Sequence, residues 1–242
     1  MRIIRANDCK TTPWKNGGGS TTQIAAGPAG SSLESFDWRI SMAQVASDGP
    51  FSDFPGIDRT LAVVKGSGMV LTIGANAPVT VSSGTEPVSF AGDVPTSARL
   101  VAGEITDLNV MTRRRRFGHR LLRIANATSY DFGDGDDIAV VLSLDGTTRV
   151  TSERDTTTLD HGDAAVICRT ATAGFRISPL ASDCYLILLR DVARDRPLPS
   201  DCAQDRAAAF RDSRNDSAIT QAAHTPQPGL SRPSATSRRN PR

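Results

Sequence analysis

Hydrophobic and polar positions alternate along most of the first 190 residues, and few windows carry a helical period. Phe36, Trp38, Ile40 and Met42 alternate with Asp37, Arg39, Ser41 and Ala43. That period of two predicts a strand over 36–45 with one dry and one wet face. Shorter runs of the same kind predict strands at 3–6, 21–26, 60–64, 68–73, 79–82, 87–90, 99–101, 138–144, 147–151 and 184–189. Within 103–116, Leu108, Val110 and Thr112 share one strand face, with Asp107, Asn109, Met111 and Arg113 on the other. Lys65-Gly66-Ser67-Gly68 and Asp145-Gly146 predict hairpins between their flanking runs.

The sequence of strand, hairpin, Gly-Asp turn and strand occurs twice, with turns at 90–93 and 160–163. This predicts an all-β fold of two related β-barrel domains. Residues 1–116 form the first, with the ligand pocket, and 117–192 the second, the N-terminal strands being free to swap into the second barrel. The one helical window is Cys202–Arg211. Beyond 192 the chain is rich in Pro, Ser, Arg, Asp and Gln, and reads as a short helix followed by a disordered tail.

Two stretches break the alternation. Asp48 to Leu61 holds two Pro, two Gly, two Phe and three Asp in fourteen residues. A loop with its own apolar anchors (Phe51, Phe54, Ile57) can fold down on a scaffold and present Arg59 to a ligand. The alternative is a packed connection in which Arg59 pairs with Asp58 or Asp53. The second stretch is Trp14-Lys15-Asn16-Gly17-Gly18-Gly19. Its glycines allow close backbone approach to a ligand or serve as a flexible link, and the adjacent Trp14 favours order.

Composition narrows the function classes. Lys and Arg total 28 against 26 Asp and Glu, a net charge of +2, so no field steers the chain to nucleic acid or an anionic membrane. The four successive arginines 113–116 would point alternately to opposite faces of a strand, and predict a split role rather than a nucleic-acid stripe. The irregular spacing of Cys9, Cys168, Cys184 and Cys202 fits a thiol-reducing compartment. The N-terminus lacks a signal-peptide pattern and no run suits a membrane span, so the expectation is a cytoplasmic protein. Only three histidines are present, His119, His161 and His224, without metal-ligand spacing. No metal or other cofactor is expected. No nucleophile motif occurs, and the carboxylates of 131–137 read as a solvated loop. What remains suits a small anion: Arg59, Arg39, Arg113, Asn16, Asn109 and the glycine backbone, walled by Trp14, Phe51, Phe54 and Met111.

Trp14–Gly19, Phe36–Ala43, Asp48–Arg59 and Asp107–Arg114 together resemble the HutD/Ves family, with all four motifs in order over residues 1 to about 190. The resemblance implies a bicupin, two cupin-like barrels in one chain, often dimeric. It also implies an association with histidine utilisation through binding of a formylated or carboxylate intermediate such as N-formylglutamate or urocanate. No catalytic mechanism carries over, and the expectation leans away from an enzyme, with a cupin-type hydrolase or isomerase and a DNA-binding regulator as the alternatives. The matching pocket residues are Trp14, Asn16, Gly17, Gly18, Arg59, Asn109, Met111 and Arg113. The extended arginine run and the tail depart from the family pattern.

Overall fold

The computed structural model describes residues 1–133 and 135–193, so the expected helix at 202–211, the tail, Cys202 and His224 lie outside the described residues. The described residues form nineteen strands and one short 3-10 turn, Ala6–Asp8. All strand pairings are antiparallel. The fold is all-β, as the alternation predicts.

The strands make four sheets. A six-stranded sheet runs in the order Lys10–Pro13, Gly19–Gly27, Trp38–Val45, Ile105–Arg113, Ile57–Lys65, Val88–Ala91. It faces a four-stranded sheet of Gly49–Pro50, Thr96–Leu100, Met69–Ile73 and Val79–Val81 across a core of Ala43, Val45, Leu61, Val63, Met69 and Leu71. In the second half, a five-stranded sheet (Arg2–Ile4, Ala164–Cys168, Ile138–Ser143, Cys184–Asp191, Phe117–Ile124) faces the four strands Thr128–Asp131, Gly174–Pro179, Thr148–Ser152 and Thr156–Leu159. The N-terminal strand therefore belongs to the second half, with Arg2 opposite Val166.

The two wide sheets meet back to back. Trp38, Ile40, Leu108 and Val110 of one pack with Ile138, Val140, Ile187 and Leu189 of the other. Alternation explains this arrangement: even residues of Trp38–Val45 and Ile105–Arg113 face the other half, and odd residues face the interior of the first half. Gly27 lies against the Trp38 ring, where a Cβ would sit 2.3 Å from Nε1.

Both expected hairpins are corrected. Ile57–Lys65 and Met69–Ile73 lie in different sheets and do not pair; nor do Ile138–Ser143 and Thr148–Ser152. Each turn is a corner that carries the chain from a wide sheet to its narrow partner. Gly66 and Gly68 have φ of 93° and 104°, and a Cβ on either would lie 2.6 or 2.5 Å from a backbone oxygen. The glycines that suggested a hairpin are needed for the corner.

Candidate functional site

The interior of the first half is apolar at one end and polar at the other. Along Ile105–Arg113, the inward residues are Ile105, Asp107, Asn109 and Met111. Asn109 lies between Ser41 and Leu61, and Met111 between Arg39 and Arg59. Register alone thus places two arginines on either side of one central strand, on its inner face.

Arg59 is 5% exposed. Its Nε donates to Asn109 Oδ1 at 3.4 Å and its Nη1 to the Ser52 carbonyl at 3.4 Å. The guanidinium carbon lies 4.9, 5.2 and 5.6 Å from the ring centres of Phe51, Phe90 and Phe54. Such cation–ring contacts strengthen when desolvated. Burial lowers the Arg59 pKa to about 10, opposed by Asp107 and reinforced by Arg39. Arg39 is half-buried. It donates to Gln23 Oε1 at 3.0 Å and Ser41 Oγ at 3.2 Å, and burial lowers its pKa as well. Neither arginine has a carboxylate within 4.0 Å among the described residues. Asp107 is 1% exposed, and burial raises its carboxyl to about 7 against the pull of Arg59 and a hydrogen bond from Asn109.

The 48–61 stretch is held by its own backbone. Asp48 Oδ1 accepts from Leu100 N, Phe51 N donates to Thr96 O, and Phe54 N donates to Gly92 O. Asp58 does not pair with Arg59. It takes Arg114 at 2.7 Å, and Arg114 also reaches Asp93 at 3.2 Å. Ring contacts of Phe51 with Phe90 and of Phe54 with Phe36 seat the loop. The connection is packed, and it also walls Arg59.

Of the nine candidate residues, Arg59, Arg39, Asn109 and Met111 come together. Trp14 packs at the margin of the same core and donates from Nε1 to Thr21 Oγ1 at 2.8 Å. Asn16, Gly17 and Gly18 serve the turn itself. Gly18 N donates to Asn16 Oδ1, Gly17 N to Trp14 O, and Gly18 O accepts from Ala46 N. Arg113 is tied to the carbonyls of Glu34 and Phe36, at 3.1 and 2.9 Å. In the arginine run, Arg116 lies 3.4 Å from Asp37, and Arg115 is exposed.

Sequence reasoning missed Asp107, Phe90 and Ser41 at this site. Asp107 was visible as a charge on the same face as Asn109. Phe90 comes from a distant edge strand that only the pairing Arg59–Phe90 reveals. The carboxylates of 131–137 need a correction. Asp136 and Asp137 are buried, the first holding Arg120 and Tyr130, the second accepting from Asp191 N and pairing with Arg169. They close the end of the second half rather than line a solvated loop.

His119 faces the other half. One ring nitrogen meets Thr112 Oγ1 and the other Thr60 Oγ1, both at 2.7 Å, and Thr60 continues to Ser89 Oγ. Burial lowers its pKa to about 4, so the ring is neutral at pH 7. With a folded pKa below the unfolded one, its contribution is complete above about pH 6.5 and is lost as pH falls toward 4. His119→Gln should therefore shift the difference in stability between pH 7 and 4 by about 3 kcal/mol in favour of pH 4 relative to the wild type, measured by urea unfolding of both proteins at both values. Among the described residues no group of three or more His, Cys, Asp or Glu is placed to hold a metal, and no helix is long and apolar enough to cross a membrane.

Comparison with known proteins bears on this arrangement. The HutD family model matches residues 6–184. Protein Ves of Citrobacter koseri is 37% identical over 131 residues, 54% of this chain and 66% of that protein. An uncharacterised 21.2 kDa protein from the hutC 3′ region of Pseudomonas putida is 35% identical over 121 residues, 50% of this chain and 63% of that one. The chain thus spans just under two thirds of the length of these curated relatives. The solved structure of HutD from Pseudomonas fluorescens SBW25, in a formate condition, superposes with a TM-score of 0.67 at 32% identity, covering 78% of this chain and 98% of that one.

Proposed function

The chain belongs to the HutD family, and from that premise we propose that its first half binds a small anionic metabolite, with Arg59 as the principal clamp and Arg39 beside it. The observation that carries this reading is the pair of inward guanidinium groups without a carboxylate partner among the described residues. A charge removed from water is costly unless paired. Arginine stays charged when buried and offers a planar fork to a carboxylate. Phe51, Phe54 and Phe90 supply the apolar wall, and Asn109 and Ser41 the polar points that orient a ligand.

We read the two halves as cupin-like units of a bicupin, of which the first carries the inward arginines. The second half turns Cys184, Leu186 and Leu188 inward from its central strand, against Phe132, Phe175 and Ile177. The hutC-region relative and the formate condition of the solved neighbour favour a carboxylate of histidine breakdown as the ligand, bound without chemical conversion and so moderating histidine utilisation. A homodimer and a cytoplasmic setting complete this reading.

The experiment is titration calorimetry with N-formylglutamate, urocanate and formiminoglutamate. At least one should bind the wild type, and Arg59→Ala should weaken it by on the order of 2–5 kcal/mol. Failure of all three to bind, or equal binding by the variant, refutes the reading.

A further inference from the structure

The face that carries Arg59 also carries a group that anion binding alone leaves unused. Asp107 is 1% exposed, and its Oδ1 has no hydrogen-bond partner among the described residues. Its side-chain partner is Asn109, whose Oδ1 accepts from Arg59 at 3.4 Å. Carboxylate, amide and guanidinium therefore form one chain across two neighbouring strands. Beyond Asn109 and Arg59, the register neighbours of Asp107 are apolar. Ala43 and Val63 flank Asp107 in register, and Met69, Leu71 and Ala98 are the core residues of the facing sheet. The charged groups of the surrounding strands that face this interior are Arg59 from Ile57–Lys65 and Arg39 from Trp38–Val45. A buried acceptor without a donor carries the full loss of its hydration.

We propose that Asp107 is the second recognition group of this pocket, its free Oδ1 accepting a hydrogen bond from an N–H or O–H of the ligand whose acid group is held by Arg59 and Arg39. The ligand class is a small acid that also carries a donor, such as an N-acylated amino acid or an azole acid. A plain acid of the same size leaves Asp107 unmet, so the carboxylate determines specificity while the arginines supply attraction. This inference rests on the reading of Arg59 as the anion clamp.

A ligand donor favours the ionised form of Asp107, and burial holds that carboxyl near 7. Binding of a donor-bearing acid therefore tightens as pH rises from 6 to 8. An acid that offers only an acceptor at the same place favours the protonated form and binds more weakly over that range.

The test uses the full chain in titration calorimetry with N-formylglutamate and its ester isostere 2-formyloxyglutarate, in which oxygen replaces the N–H. At pH 8 the amide should bind at least about tenfold more tightly than the ester. Asp107→Leu should bring the two within about twofold, and Asp107→Asn, which keeps the shape and a neutral acceptor, should flatten the pH dependence. Equal affinities in the wild type, or a preference that survives in Asp107→Leu, overturn the proposal. If both ligands bind equally and Arg59→Ala abolishes both, the anion clamp stands and the role of Asp107 fails. If neither binds in an Arg59-dependent way, both readings fail.

Discussion

At pH 8 the Asp107→Asn variant should be more stable than the wild type, by up to about 4 kcal/mol, and the two should converge near pH 4. The carboxyl is raised from 3.8 to about 7 by burial. In the unfolded chain it ionises at its ordinary value, so at high pH the folded state alone bears the penalty of a buried charge. About three pKa units at roughly 1.4 kcal/mol each give that figure. The sign is fixed: a carboxyl raised on folding stabilises the fold least above the folded pKa and ceases to matter below the unfolded one. Asparagine keeps the acceptor for Asn109 and has no charge to bury. His119 acts in the opposite direction over nearly the same range, since its depressed pKa makes the fold gain stability as pH rises from about 4 to 6.5. In the wild type the two slopes largely cancel, and Asp107→Asn exposes the histidine slope alone. Urea midpoints at several pH values between 4 and 8 test this. Parallel curves for the two proteins, or a less stable variant at pH 8, contradict it.

A carboxyl raised so far by burial, on the same inward face as Arg39, Asn109 and Met111, supports the proposed site. The buried Arg59 supports it as well. The second half has the same two-sheet build, with an apolar core between its sheets, and its buried Asp136, Asp137 and Asp163 are each paired with an arginine. The inward arginines of the first half are therefore not a requirement of the architecture.

Much of this was legible in the sequence. The period of two separates the faces of Phe36–Val45 and Asp107–Arg113, grouping Arg39 with Ser41 and Asp107 with Asn109 and Met111. The face of Phe36–Val45 read as wet is interior, however, with Ser41, Ala43 and Val45 buried, and only the register joins the two strands' faces. The anchors Phe51 and Phe54 mark a loop that folds down. What could not be read was partnership across sheets. Gly66 and Asp145-Gly146 look like hairpin turns because the local chemistry of a tight hairpin and of a sheet-to-sheet corner is the same; only the long-range pairing of Ile57–Lys65 with Ile105–Arg113 separates them. The strands Phe117–Ile124 and Gly174–Pro179 were missed because charged residues such as Arg120, Arg123 and Arg176 interrupt their alternation, and their burial comes from neighbours distant in sequence. Asp136 and Asp137 misled for the same reason: their partners Arg120 and Arg169 are 16 and 32 residues away. Asn16 and Gly18 have the composition of a binding loop, yet they satisfy each other.

Arg59→Met should abolish anion binding while leaving the chain at least as stable as the wild type. Two effects oppose each other in the ligand-free protein. Burial lowers the Arg59 pKa by about 2.5 units to about 10, which corresponds to roughly 3 kcal/mol against the charged form at neutral pH. Contact with three phenylalanine rings and two hydrogen bonds at 3.4 Å returns part of that, on the order of 2 kcal/mol for a desolvated cation over aromatic faces. Methionine fills much of the same volume and keeps a favourable contact with the rings. The net expectation is a gain of about 1 kcal/mol, set against a loss of on the order of 2–5 kcal/mol in binding. Paired measurements decide it: urea unfolding of both proteins without ligand, and calorimetry with the acid that binds the wild type. A structural clamp would behave differently. If Arg59 serves chiefly to hold the 48–61 stretch through Ser52, the variant should lose stability and bind more weakly in proportion. Stability retained with binding lost is the result that only a ligand-directed arginine produces.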